Sequence, residues 1–266
     1  MYKKFNIENI NIVANASYVQ KYKKLFEKQQ SQIREHLDNY VLQDGIIDGK
    51  KIQSEWFPND IDVQIFISHS HKDKELAVNL ACWIYEHFGI VSFIDSCVWG
   101  YSNELLHKLD AKYCKRKDDL YDYDKRNYST SHVHMMLVTA LNKMIDRAEC
   151  LFFLNTQNSV HFKGIEERTL SPWIYAELEM TRTIQLNIPK RHKLNYCFFS
   201  KREQVKKINE SSDLKISYPV NTGQLTTIDN KTLRQWREDH LKKTNENALD
   251  ILYSITQKGE IIYGNR

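Results

Sequence analysis

The 266-residue chain contains no run approaching the ~20 consecutive apolar residues of a membrane-spanning helix, and its opening, "MYKKFNIENI", lacks the apolar core of a secretory signal. A cytoplasmic protein with no membrane partner is the expectation. Cysteine is sparse and without pattern: Cys82, Cys97, Cys114, Cys150 and Cys197 are odd in number, widely spaced and free of any CxxC. That argues against both a disulfide framework and a zinc finger, and for reduced core thiols. His69 and His71 alternate at a strand end, and His132 and His134 lie two apart, so neither pair has the i, i+4 spacing that sets two ligands on one helical face. No metal site is expected. GxGxxG, Walker and GxSxG sequences are missing, which removes the usual dinucleotide oxidoreductase, phosphate-loop and serine hydrolase readings. Charge of one sign is missing too. The net +4 is a small difference between 38 basic and 34 acidic residues, and the basic clusters are short and scattered, so a nucleic-acid partner is not expected.

What remains is a packed globular composition, 41% hydrophobic and 12% aromatic. Residues 1–15 are polar and Asn-rich, and 17–41 repeat their apolar residues at mostly helical spacing. Residues 42–60 read as a connector ending near Pro58. This predicts a helical extension over 1–60 and a separate domain over 61–266 that folds alone. From residue 61 strands and helices alternate: "DVQIFIS", a helix ending at Gly89, "IVSFID", a helix over 131–149, "CLFFLNT", "LNYCFFS", a short helix near 201–211, a possible strand "DLKISYPV", and one last helix over 231–255. Such alternation predicts an α/β fold with a central parallel sheet flanked by helices, and ligands at the carboxyl ends of the strands. The loops "SHSHKDK", "DSCVWGYS" and "NTQNSV" converge there. Residues 103–130, charged and tyrosine-rich, show no sustained period and read as a surface excursion, with Tyr121 and Tyr123 either a lid over the crevice or ordinary surface.

One helix stands out. In "TLSPWIYAELEMTRTI", Ser171 is a good N-cap and Pro172 occupies the first helical position. Trp173, Ala176, Met180 and Ile184 cluster on one side, with Ile174 and Leu178 widening the arc, and Glu177 falls near its middle. Glu179 and Arg182 lie on the opposite face. A carboxylate on a core-facing stripe lines a pocket or pairs with a loop or a cation. Both readings stand at this point.

These segments resemble the Toll/interleukin-1 receptor (TIR) family in its bacterial form. "FISH" with the charged "DK" that follows is similar to the family's first strand and helix. "DSCVWGYS" is similar to the Asp after its second strand and its BB loop, with Gly100 and Ser102, and "SPWIYAEL" resembles its Ser-x-Trp-Cys-x-x-Glu-Leu box, with Ile174 in place of Cys. The resemblance covers 61 to about 256 and implies a flavodoxin-like TIR fold. It also implies an enzyme that cleaves the nicotinamide–ribose bond of NAD, as substrate rather than cofactor, to an ADP-ribose or cyclic ADP-ribose signal. The setting it implies is antiphage defence of the Thoeris kind, with a separate effector for the product. Glu177 becomes the catalytic residue, and Ser68, His69, Asp95, Trp99, Ser102 and Trp173 the substrate-binding set. The two tryptophans are also read as core or rim packing. The alternative function is a non-catalytic module acting by TIR–TIR assembly.

Overall fold

The structure, a computed structural model, describes residues 1–21, 24, 37–42, 46–57, 63–163, 166–192 and 217–257. Its first half comprises β1 (Lys3–Ile7), α1 (Gly49–Trp56), β2 (Ile65–Ser68), α2 (Lys74–Phe88), β3 (Ser92–Ile94), α3 (Ser96–Leu109) and α4 (Tyr123–Arg147). Then follow β4 (Cys150–Leu154), β5 (His161–Lys163), β6 (Glu166–Thr169), α5 (Pro172–Thr183), β7 (Tyr218–Pro219), β8 (Thr226–Ile228), α6 (Asn230–Lys242) and α7 (Ala248–Thr256).

β2, β3 and β4 are buried along their whole lengths, because continuous apolar runs suit a parallel sheet covered on both faces. They join β1 and β8 in an all-parallel sheet of order β3-β2-β4-β1-β8. Alternate side chains serve opposite layers. Ile65, Ile67, Phe152, Leu154, Phe5 and Ile7 meet α2, α6 and α7, whereas Phe66, Phe93, Leu151 and Phe153 meet α1, α3, α4 and α5. This is the expected α/β architecture, flavodoxin-like in its parallel sheet flanked by helices. From β2 the chain runs to β3 on one side, and the next strand, β4, lies on the other. The carboxyl ends of β2 and β4 therefore bound a topological switch point.

The division at residue 60 is corrected. β1 is no part of an extension: Lys3–Ile7 pair with Cys150–Leu154 on one side, and Phe5–Ile7 pair with Thr226–Ile228 on the other. Ile52, Trp56 and Phe57 are also core residues. The helix expected over 17–41 is present at 16–21, residues 22, 23 and 25–36 lie outside the described residues, and Leu37–Tyr40 form a 3-10 turn. The strand at 194–200 and helix at 201–211 also lie outside them. The last helix is two helices, because Asn247 caps a new one by accepting from Leu249 N–H.

Residues 103–130 are corrected as well. α3 runs into a π-helical turn, Asp110–Cys114, and packs against α4 as a helical hairpin. Asp110 fixes the hairpin by accepting from Arg126 Nε at 2.9 Å and Ser129 Oγ at 2.6 Å. α4 has 25 residues and spans about 37 Å, twice the length of the strands, so its N-terminal end stands beyond the sheet. Tyr123 lies roughly 16 Å along α4 from His134, on whose ring Trp173 packs edge-on. The lid reading of Tyr121 and Tyr123 loses its basis in a loop beside the crevice.

Candidate active site

α5 begins as its sequence dictates. Ser171 Oγ accepts from Ile174 N–H at 3.3 Å, and Pro172 takes the first helical position. Its buried stripe is Ile174, Glu177, Leu178 and Thr181, so the carboxyl sits inside the face that packs on the sheet. Glu179 lies on the other side and accepts from Arg182 Nη1 at 2.8 Å.

Ser68 ends β2 and Asp95 immediately follows β3. Ile67 pairs with Ile94, so the next residues, Ser68 and Asp95, stand side by side on the face that α5 covers. Glu177 closes the group from above. Its Oε2 accepts from Ser68 Oγ at 2.6 Å, and the Asp95 carboxyl lies near enough that its charge raises Glu177. Asp95 Oδ1 accepts from Ser96 N–H at 2.6 Å and lies 2.6 Å from His69 Nδ1. All four side chains are fully buried. Sequence reasoning left Glu177 as a pocket carboxylate or a partner of a loop or cation. Its partners are a hydroxyl and a second carboxyl.

Two carboxylates in contact cannot both stay ionised without water. Glu177 Oε1 and Asp95 Oδ2 receive no donor from another described residue, and one proton held between them satisfies both. Burial, then the Asp95 charge, raises Glu177 well above the usual carboxyl range, and burial pushes Asp95 up to about 8. Burial pushes His69 down to about 4, so across the neutral range the imidazole is uncharged and its 2.6 Å contact with Asp95 is not an ion pair. The two carboxyls titrate as a pair, and the first proton lost leaves one charge shared over both.

The pair leaves a mark on stability. Asp95 titrates near 4 when unfolded and near 8 when folded, so in that window the folded chain holds a proton the unfolded chain lacks, and stability falls as pH rises. His69 acts oppositely, from about 6.5 unfolded to about 4 folded, and its contribution is lost only as pH falls below about 6.5. Above that value the large carboxyl shift is opposed only in part by the N-terminal amine, which burial lowers. Asp95→Asn is therefore expected to flatten the decline in melting temperature between pH 6.5 and 8.5 and to raise it by several degrees at the upper end. Thermal unfolding at the two pH values checks this.

The remaining expected residues divide. Ser102 is buried on α3. Trp173 is half-buried against His134 and packs on the α4 layer, as its rim-packing reading had it. Trp99 lies on the first turn of α3, and its side chain is outside the described residues. "SCVWGYS", read as a loop, is the start of that helix, with Asp95 as its capping residue. Around the same rim, Asp73 accepts from Thr156 Oγ1 at 2.6 Å and Asn158 Nδ2 at 2.7 Å, tying the loop after β4 to the loop after β2.

The chain matches no family model, no curated protein and no solved structure. Among the described residues, no helix is long and apolar enough to cross a membrane.

Proposed function

We propose that this chain is a TIR-type enzyme that cleaves the nicotinamide–ribose bond of NAD, with Glu177 as the carboxylate that meets the reacting ribose. The observation that carries the reading is Glu177 itself: a fully buried carboxyl over the carboxyl ends of β2 and β3, hydrogen-bonded by Ser68 and set beside Asp95. Loss of nicotinamide leaves positive charge on the ribose. A shared negative charge on Glu177 and Asp95 stabilises that centre, and nicotinamide leaves as a neutral ring that needs little acid help. Ser68 orients the Glu177 carboxyl, and neutral His69 lies against Asp95. Glu177 has no exposed surface in this closed arrangement, so substrate entry requires an opening of the segments that follow β2 and β3. Exclusion of water at that point favours attack by an internal nucleophile such as the adenine ring, giving a cyclised product. The proposal extends to a cytoplasmic location, and to a nucleotide signal read by a separate effector in bacterial antiphage defence.

A second reading, assembly through TIR–TIR contacts, draws on the hairpin, where Leu120, Tyr123, Tyr128 and Met135 are each more than 60% exposed.

The ionised pair is the active form, so kcat/KM for nicotinamide release should climb with pH and level off above about 8, the value to which Asp95 is pushed. A profile that falls over this range would remove the carboxyl pair from the mechanism.

A further inference from the structure

β1 contributes more than hydrogen bonds to the sheet. Asn6 pairs with Phe153, and Phe153 pairs with Ser68, so Asn6 and Ser68 occupy one row on the α5 face, two strands or roughly 10 Å apart. Asn6 is 3% exposed, and its Nδ2 donates to Glu8 Oε1. A carboxylate only accepts, so this bond fixes which way the amide faces and turns Asn6 Oδ1 away from Glu8. That oxygen is buried and receives no donor among the described residues. Glu8 Oε1 also accepts from Asn155 Nδ2 at 3.3 Å, and no described group donates to Glu8 Oε2. Glu8 is only half-buried, so its carboxylate, held by Asn6 and Asn155, stays open at the rim to a ligand's donors.

A cavity of about 190 Å³ opens at this rim, over the carboxyl ends of β1 and β4. Ile7, Ile10, Leu76 and Leu154 supply apolar walls, and Asn155 and Thr156 a polar edge. Asn9, with φ of 50°, turns the chain sharply after the strand, and its carbonyl accepts from Asn230 Nδ2 at 2.9 Å, which holds the turn in place. Apolar walls suit a flat base. Asn155 Nδ2 is committed to Glu8, which leaves its amide oxygen to accept from an exocyclic amine.

We infer that the carboxyl ends of β1 and β4 form a nucleoside subsite, in which Glu8 accepts from ribose hydroxyls and the cavity takes an amine-bearing base, the adenosine half of a dinucleotide. This deepens the proposed function, on which it rests for the other half at Glu177. Lys74, exposed on the first turn of α2 between Asp73 and the cavity wall Leu76, supplies positive charge for the pyrophosphate between the halves.

The test measures binding of ADP-ribose and of nicotinamide mononucleotide to the full chain, wild type, Glu8→Gln and Leu76→Trp, by calorimetry. Glu8→Gln removes the charged acceptor, and Leu76→Trp fills the cavity without touching Glu8. Each is expected to weaken ADP-ribose binding about tenfold or more while nicotinamide mononucleotide, which lacks the second nucleoside, binds as to wild type. Thermal unfolding identifies a variant that fails to fold, and the other then decides. Unchanged ADP-ribose binding in a folded variant, equal weakening of both ligands, or no ADP-ribose binding by wild type overturns the subsite. NAD cleavage with KM insensitive to both substitutions sinks the subsite and leaves the enzyme reading standing. Glu8-dependent ADP-ribose binding without NAD cleavage does the reverse.

Discussion

Glu177→Gln is expected to lower the rate of nicotinamide release by about two to three orders of magnitude while the protein stays folded. Gln is nearly isosteric, and its two ends fit the existing partners. The amide oxygen accepts from Ser68 Oγ as Glu177 Oε2 does, and the amide N–H donates to Asp95 Oδ2, which receives no donor from another described residue. The substitution thus removes mainly charge. A preorganised group facing developing charge is worth about 3 to 4 kcal/mol in the transition state, which sets the size of the loss. Glu179→Gln is the control from the same helix. Glu179 is more than a third exposed and its pair with Arg182 is of the surface kind, worth about 0.3 to 0.5 kcal/mol, so activity and stability should stay near wild type. A melting temperature that collapses in Glu177→Gln with activity retained would make Glu177 a structural residue.

Residues 61–266 expressed alone should not fold cooperatively. Without β1 the sheet loses its fourth strand, β8 has no partner, and β4 becomes an unpaired edge of five buried apolar residues. The loss also takes Phe5, Ile7, Ile52, Trp56 and Phe57 out of the core. At about 1.5 to 3 kcal/mol each, their burial is of the order of the whole net stability of a domain, about 5 to 15 kcal/mol. Circular dichroism and thermal unfolding of the fragment check this. A sharp transition near that of the full chain would show that β1 is dispensable.

The contrast between β1 and the other sheet strands explains what the sequence could disclose. "IFIS" and "CLFFL" are continuous apolar runs, and only strands covered on both faces ask for that pattern, so β2, β4 and the crevice at their ends were legible. β1 is covered on both faces too, but "KKFNI" sets Lys4 and Asn6 on the α5 side. They are accommodated there by single partners: Lys4 Nζ donates to the Thr181 carbonyl, and Asn6 donates to Glu8. Those partners lie 177 residues away or outside the strand, and no periodicity registers them. α3 was hidden differently. Its first turn, "SCVWGYS", carries a glycine and two serines and reads as loop, and the hairpin it leads into is held by Asp110, Arg126 and Ser129 rather than by an apolar stripe.

The candidate site shows the same division. Glu177 was visible because an acidic residue interrupts an apolar arc, a local signal. Asp95 was visible only as the residue after a strand. That the two carboxyls meet depends on the side-by-side register of β2 and β3 beneath α5, and tertiary structure alone creates it. The uncharged state of His69 follows from the same burial.

The central claim is that this carboxyl pair serves cleavage of NAD, and mass spectrometry of NAD incubated with the full-length protein above pH 8 tests it most directly, with Glu177→Gln alongside. The account predicts nicotinamide with equimolar ADP-ribose or its cyclised form from wild type, and NAD recovered essentially whole from the variant. NAD recovered whole from both, or the same products at the same rate from both, would contradict it.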